Sequence, residues 1–251
     1  MDHVDVVVVG SGIIGSFVAL ALHERGLRVM VVDRGGLAPG TSRSSDGNLL
    51  CSDKSPGIML DLSARSLDAW QRFAERYGNH CEYDPKGSTV VARSPAEAEA
   101  LAALVRAQQS AGIDCRFLDS GWEAIEPHLG PQTVAVGHWP GDAQVQPMLA
   151  CYQIARQLRA AGVAYRFYQA IEQLEVESEQ VVVRLSGSEP VAAGHVCLCT
   201  GVWTNEVLAP LGLSIPVEPR KGHIAVLERG DVRVNSKIAD FGYQAAAEST
   251  E

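Results

Sequence analysis

The sequence predicts an α/β protein, and three observations carry that reading. An apolar run, Val6-Val7-Val8-Val9, breaks into Gly10-Ser11-Gly12-Ile13-Ile14-Gly15, and an amphipathic helix follows from Ser16 to Arg25. A second apolar run, Val29 to Val32, ends on Asp33, 23 residues past Gly10. The strand–helix alternation then lapses and resumes at Pro147, where another helix leads into further apolar runs. A βα pattern that is interrupted and resumed implies a discontinuous Rossmann-like nucleotide domain with an α+β domain inserted into it. The expected boundaries are 1–80 and 141–215 for the nucleotide domain, and 81–140 and 216–251 for the inserted one.

Each part of the first unit has a mechanical role. Gly10 permits a tight turn, Gly12 lets a pyrophosphate approach the backbone, and Gly15 lets the helix pack closely on the strand. The helix N-terminus aims its free N–H groups and positive dipole end at phosphates. Asp33 stands where a carboxylate accepts hydrogen bonds from an adenosine ribose. A glycine fingerprint between strand and helix, with an acid closing the next strand, points to an adenine dinucleotide. By itself it does not separate NAD from FAD.

Further elements follow in order. The loop Gly35 to Asn48 is rich in glycine and hydroxyls. Leu60, Ala64, Leu67, Trp70, Phe73 and Ala74 recur at helical spacing, so Ile58 to Tyr77 reads as a helix. Residues 81–92 read as two short strands around Pro85-Lys86-Gly87. Pro95 opens a helix that stops near Gly112. Asp119 to Leu129 suggests a short helix, and Val134 to Trp139 a strand. The Pro147 helix ends at Gly162. Strands are expected at Val163–Phe167, Ile171–Glu177, Val181–Leu185 and Val196–Cys199, then a short helix at Val202–Leu208. Ile215–Pro219 and His223–Leu227 read as extended.

Composition narrows the classes. Apolar residues make up 46% and charged residues 20%, an ordinary globular balance. The net charge is −9 and no long basic run occurs, which argues against nucleic acid as a partner. The apolar stretch Val4 to Leu22 contains Asp5 and the glycine turn, so it reads as strand–turn–helix and not as a membrane span or signal peptide. The six cysteines are scattered, with no C-x-x-C pair and no zinc spacing to histidine, so no metal site is expected. Cys197 and Cys199 share one strand face and read as core thiols. A reducing compartment is the default.

Four further motifs carry a family resemblance. Thr41-Ser42-Arg43-Ser44-Ser45-Asp46-Gly47-Asn48 resembles the loop that holds the FAD pyrophosphate and flavin in the D-amino-acid oxidase family. Gly141-Asp142-Ala143-Gln144-Val145-Gln146-Pro147, with its helix, is similar to that family's return into the FAD domain. Cys199-Thr200-Gly201-Val202-Trp203-Thr204 resembles its A-G-x-W-[ST] turn. Pro216-Val217-Glu218-Pro219-Arg220-Lys221-Gly222-His223 resembles its P-[VI]-x-P-x-[RK]-G-[QH] strand entry. The segment Cys51 to Gly57 looks closest to the small flavin subunits of heteromeric amine dehydrogenases, such as opine oxidase, D-hydroxyproline dehydrogenase and hydrogen cyanide synthase. Glycine oxidase is a more distant relative.

The resemblance implies FAD as cofactor and a small amino or imino acid as substrate. Its α C–H passes as hydride to the flavin, leaving an imine that water hydrolyses. By the same resemblance Ile13, Ile14 and Gly15 lie along the pyrophosphate. Asp33 and Arg34 flank the adenosine. Thr41, Ser42, Asp46, Gly47 and Asn48 approach the phosphates and flavin. Ile171 pairs its backbone with adenine, and Gly201 passes close to the cofactor. Catalytic residues are not identified. Asp46 departs from the small apolar residue of many relatives, and His223 replaces a glutamine and reads as structural, as do Arg220 and Lys221.

Family members run longer. Their final third completes the substrate-domain sheet and supplies an arginine for the substrate carboxylate. Nothing after Glu228 matches it, so a truncated substrate domain is expected. Two alternatives stand beside the flavoenzyme: a non-catalytic FAD-binding fragment or assembly subunit, and an NAD-dependent Rossmann dehydrogenase. The second calls for a Tyr-Lys or His-Asp constellation, which is not found at recognisable spacing. The electron acceptor stays open: a lone oxidase would use oxygen, while the subunit resemblance implies partner subunits that receive the electrons. That resemblance also implies a cytoplasmic location, peripheral at the inner membrane through those partners.

Overall fold

A computed structural model describes residues 2–228 and 230–243. Its elements run β1 (Asp2–Val9), α1 (Ile13–Glu24), β2 (Val29–Val32), β3 (Asn48–Leu49), α2 (Ile58–Tyr77), β4 (Ser88–Ala92), α3 (Pro95–Ser110) and β5 (Arg116–Leu118). Then come β6 (Ala135–Trp139), β7 (Ala143–Gln144), α4 (Pro147–Ala160), β8 (Ala164–Arg166), β9 (Ile171–Val176), β10 (Val181–Leu185), β11 (Val191–Leu198), α5 (Thr204–Leu208) and β12 (Lys237–Asp240). The chain divides into two compact units, residues 1–46 with 146–224 and residues 47–145 with 225–251. The architecture is the expected α/β one, with a Rossmann-like first unit.

The first unit is built on a six-stranded sheet in the order β8-β2-β1-β11-β10-β9. β8, β2, β1 and β11 are parallel, while β10 and β9 add an antiparallel edge. Val6, Val7, Val8, Val31 and Val32 are buried, as continuous apolar runs in a doubly covered parallel sheet should be. One core joins Val7, Val9, Met30 and Val32 to Val183, Leu185, Val191 and Ala193. α1 packs on α4 through small residues: Gly15, Ser16 and Ala19 are buried on α1, Ala150, Cys151 and Ala155 on α4. Gln146 caps α4 by accepting from the N–H groups of Met148 (2.7 Å) and Leu149 (3.3 Å).

The second unit holds a four-stranded sheet, β12-β4-β6-β5, and the short ladder β3-β7. Its core joins Leu60 of α2 and Leu101 and Val105 of α3 to Val90, Ala92, Ala135 and Trp139. Ser94 caps α3 by accepting from Glu97 N–H at 3.2 Å, and the Glu97 carboxylate accepts from Arg93 N–H at 2.7 Å.

Several expectations need correction. The first boundary between units falls at 46/47, not at 80/81, because α2 buries its apolar face in the second unit's core. The other two fall at 145/146 and 224/225 instead of 140/141 and 215/216. Before the Pro85 turn there is a single bridge, Asp84 to Gln144, and no strand. Asp119–Leu129 contains one 3₁₀ turn, Trp122–Ala124. Ile215–Pro219 joins no sheet; Asn205 holds it, donating to Ile215 O (2.9 Å) and accepting from Ile215 N–H (2.9 Å). The terminal segment Ala245 to Glu251 lies outside the described residues.

Candidate functional site

The fingerprint turn explains its own glycines. Gly10 has φ +102°, and a Cβ there would stand 2.3 Å from the carbonyl oxygen of Cys199, at the neighbouring strand's end. A Cβ on Gly15 would stand 1.9 Å from Gly10 O, so α1 leaves the turn in backbone contact with it. Gly12 differs: its Cβ would meet only the Ser42 side chain, at 3.0 Å. α1 starts after Gly12 without a capping side chain from that residue and without an acid in its first turn. The Ser42 hydroxyl accepts from Ile13 N–H at 2.9 Å, so it crosses from the Thr41–Ser44 turn to the helix N-terminus. Ile14 is exposed beside it. A helix N-terminus without an acid, a glycine with no Cβ and a hydroxyl at the same point form a concave turn with the donor chemistry that phosphate oxygens accept from.

Asp33 closes β2 and is buried. Its Oδ2 accepts from Ser11 N–H (2.7 Å) and Ser11 Oγ (2.8 Å), and its Oδ1 accepts from Gly35 N–H (2.9 Å). An ionised carboxylate has about four acceptor positions. Three are used within the chain, which leaves roughly one for a ribose hydroxyl. Ser11 was not singled out from sequence, where the second fingerprint position passes as free. It is a buried organiser: its hydroxyl, whose single proton lies between Asp33 Oδ2 (2.8 Å) and Gly36 O (3.1 Å), accepts from Ala38 N–H (3.2 Å), tying the loop after β2 to the fingerprint. Gln169 N–H donates to Asp33 O (3.0 Å) and Tyr168 N–H to Gly35 O (2.9 Å), which brings the approach to β9 against the same turn.

Arg34 is exposed and lies over the Trp203 ring, 4.6 Å from its centroid, with Glu206 at 3.4 Å. Trp203 also lies against Gly40, where a Cβ would meet its ring at 2.9 Å. The tryptophan of the G-x-W turn thus packs the loop that leads to Ser42, a role its motif alone did not disclose. Gly201 has φ +57° and open space where its Cβ would be.

Of the expected site residues, Gly10, Gly12, Ile13, Ile14, Gly15, Asp33, Arg34, Thr41, Ser42, Asp46, Ile171 and Gly201 belong to the first unit. Thr41 and Asp46 are exposed. Ile171 is half-buried at the start of β9, opposite Leu185. Gly47 and Asn48 belong to the second unit, where Asn48 pairs with Gln144 and Gly47 O accepts from Val145 N–H (3.0 Å).

The cysteines are free thiols, Cys197 and Cys199 half-buried. Burial pushes the Cys199 thiol up to about 11 and the Cys51 thiol up to about 12, where the Asp142 carboxylate adds to the effect. Neither is a nucleophile at neutral pH. Among the described residues no cluster of histidine, cysteine and carboxylate groups suits a metal ion. No described helix is long and apolar enough to cross a membrane.

Comparison with known proteins separates FAD from NAD. Residues 5–245 match the family model described as DAO, FAD dependent oxidoreductase. A glycine oxidase of Geobacillus kaustophilus (strain HTA426) is 28% identical over 232 residues, 89% of this chain and 61% of that protein. The crystal structure of glycine oxidase from Geobacillus kaustophilus superposes with a TM-score of 0.80 at 24% identity, covering 87% of this chain and 61% of that one. L-proline dehydrogenase from P. horikoshii superposes at 0.83 with 20% identity, covering 96% and 65%. The chain therefore spans about three fifths of the length of the glycine oxidases it matches. With the family model covering nearly the whole chain, the chain belongs to the DAO family of FAD-dependent oxidoreductases, and FAD is its cofactor.

Proposed function

We propose that the chain serves an FAD-dependent oxidation of the C–N bond of a small amino or imino acid. The observation that carries this reading is the Gly12–Ser42–Asp33 cradle within a chain of the DAO family. The similarity to a glycine oxidase supports the substrate class.

The roles of the chain's own residues follow from their chemistry. The N-terminus of α1 and the Ser42 hydroxyl hold the pyrophosphate, and Gly12 keeps a side chain out of its way. Asp33 offers its remaining acceptor position to the ribose, held in orientation by Ser11 and Gly35. Arg34 borders the adenosine, its guanidinium steadied on Trp203. Ile171 supplies backbone groups to the adenine edge, and Gly201 leaves room beside the cofactor. Thr41, Asp46, Gly47 and Asn48 approach the phosphate and flavin end. When bound, FAD supplies the hydride-accepting chemistry; the protein contributes orientation. Assignment of the first unit to the cofactor and of the second to the substrate is part of the same proposal. So is the reading as a subunit of a heteromeric dehydrogenase, which rests on the Cys51 to Gly57 segment.

Absorption spectroscopy tests the proposal. The purified chain should be yellow, and anaerobic addition of glycine, D-alanine or L-proline should bleach the flavin band. A flavin-loaded chain that none of a panel of amino and imino acids bleaches would favour a non-catalytic FAD-binding role.

A further inference from the structure

One residue of the first unit is held in a strained shape that core packing does not explain. Among the described residues, three that are not glycine have a positive φ: Ala38, Glu82 and Tyr168. Tyr168, at φ +58°, is the bulkiest of them, and a large side chain in the left-handed region is disfavoured. Such strain persists only where the surroundings impose it. A buried ring would be one reason, but Tyr168 is 79% exposed.

The surroundings are the turn that carries Asp33. Tyr168 N–H donates to Gly35 O (2.9 Å) and Gln169 N–H to Asp33 O (3.0 Å). Gly35 in turn donates its N–H to Asp33 Oδ1 (2.9 Å). On the other side, Ala170 N–H donates to Ser186 Oγ (2.9 Å) and Ser186 N–H to Ala170 O (2.9 Å). Ser188 Oγ donates to Gln169 Oε1 (3.1 Å). The link between β8 and β9 is thus fixed from both sides, and it sends the Tyr168 ring across the loop after β2. A Cβ on Gly36 would stand 3.1 Å from the Tyr168 hydroxyl oxygen and 3.7 Å from its Cζ. Gly36 leaves the ring room to lie on the loop, while most of the tyrosine stays uncovered.

We infer that Tyr168 is an adenosine-binding residue, its ring lying against the adenosine half of the FAD that this turn receives. The inference rests on the placement of the ribose at Asp33 proposed above. A flat apolar ring held on the Asp33 turn and left open is suited to a planar partner, and adenine is the planar group at that end of FAD. Base–aromatic stacking raises affinity by about fivefold to a hundredfold. The strain is then the means of holding the ring where the base arrives, since an ordinary backbone at residue 168 would turn it elsewhere.

The test compares FAD and FMN, which lacks the adenosine, on the full chain after deflavination, with thermal unfolding of the flavin-free chain measured beside them. Tyr168→Asn keeps a residue that tolerates the left-handed region and removes the ring. It should weaken FAD about tenfold, leave FMN unchanged and leave the flavin-free chain at least as stable. Tyr168→Phe keeps the ring and should hold FAD within about twofold of the parent. A second measurement needs no variant that must bind. With 3-fluorotyrosine incorporated, the ¹⁹F resonance missing from Tyr168→Phe belongs to Tyr168; in the parent chain ADP should shift it and FMN should not. A Tyr168→Asn chain that binds FAD as tightly as the parent, equal losses of FAD and FMN, a flavin-free chain destabilised by that change, or a resonance that ADP leaves in place would overturn the inference. Asp33→Asn in the same titrations reports on the ribose placement by itself.

Discussion

At the scale of single residues, the three fingerprint glycines are not equivalent. A methyl on Gly15 would collide with backbone, the Gly10 carbonyl at 1.9 Å, and nothing there can give way. A methyl on Gly12 would press only on the end of the Ser42 side chain, at 3.0 Å. Gly15→Ala should therefore destabilise the first unit severely. Gly12→Ala should cost about 1 kcal/mol or less in stability, yet reduce FAD retention. Urea unfolding with flavin quantitation separates the two effects, and equal unfolding losses would contradict the geometry. Asp33→Ala removes the acceptor for three donors, Ser11 N–H, Ser11 Oγ and Gly35 N–H. It should lower the unfolding free energy of the flavin-free chain by about 2–4 kcal/mol. It should also weaken FAD more than FMN, which lacks the adenosine. The first effect is a consequence of packing that sequence could not disclose. The position of the acid was legible, because it closes the second strand. Its dependence on Ser11 was not, because nothing in a one-dimensional pattern tells which hydroxyl bends back to it.

At the scale of elements, legibility followed length and periodicity. α2 spans Ile58–Tyr77 as read, since its apolar residues recur over many turns. α3 and α4 begin at Pro95 and Pro147, where proline's fixed φ and missing N–H suit a first helical turn. The short strands β3, β5 and β7, of two or three residues, carry no readable period, and were missed. β11 begins at Val191, five residues before the expected Val196, because its first half is Val-Ala-Ala-Gly-His. Alanine and glycine are poor strand formers, and pairing with β1 on one side and β10 on the other overrides that preference. The sheet that an amphipathic helix covers is likewise invisible in its period, which is why α2 shifted between units. The 51–54 segment is an element of another kind, shaped by buried side chains. Gln108→Leu keeps the volume but strands the Trp139 indole N–H and the Cys51 and Lys54 carbonyls. It should cost about 2–4 kcal/mol in urea unfolding. A loss within a few tenths would mean that the segment holds itself.

At the scale of the whole molecule, burial sets the pH range of stability. The thiols of Cys51, Cys115, Cys151 and Cys199 are raised from 9.0 to about 12, 11, 11 and 11, chiefly by desolvation. In the unfolded chain they ionise near pH 9, while in the folded chain they remain protonated. Above that pH the unfolded state binds fewer protons, so stability falls as pH rises. The contribution is complete below about 9 and is lost through about 11–12. His138 acts at the other end. Burial lowers its pKa below 6.5, so the folded chain keeps it neutral when the unfolded chain has charged it. Its contribution is present above 6.5 and is lost as pH falls through the lowered value. The ion pairs of Asp5 with Arg28 and Glu175 with Arg184 hold those carboxyls low in the same sense, but they are exposed and add little. The midpoint of urea unfolding, followed from pH 5 to 11, should form a plateau between about 6.5 and 9 with a decline on each side. Cys151→Ala, at a fully buried site on α4, should flatten the alkaline limb even where it lowers the plateau. An alkaline limb that keeps its slope when Cys51, Cys151 and Cys199 are each replaced in turn would show that other groups set it, and that these thiols ionise alike in the folded and unfolded chain.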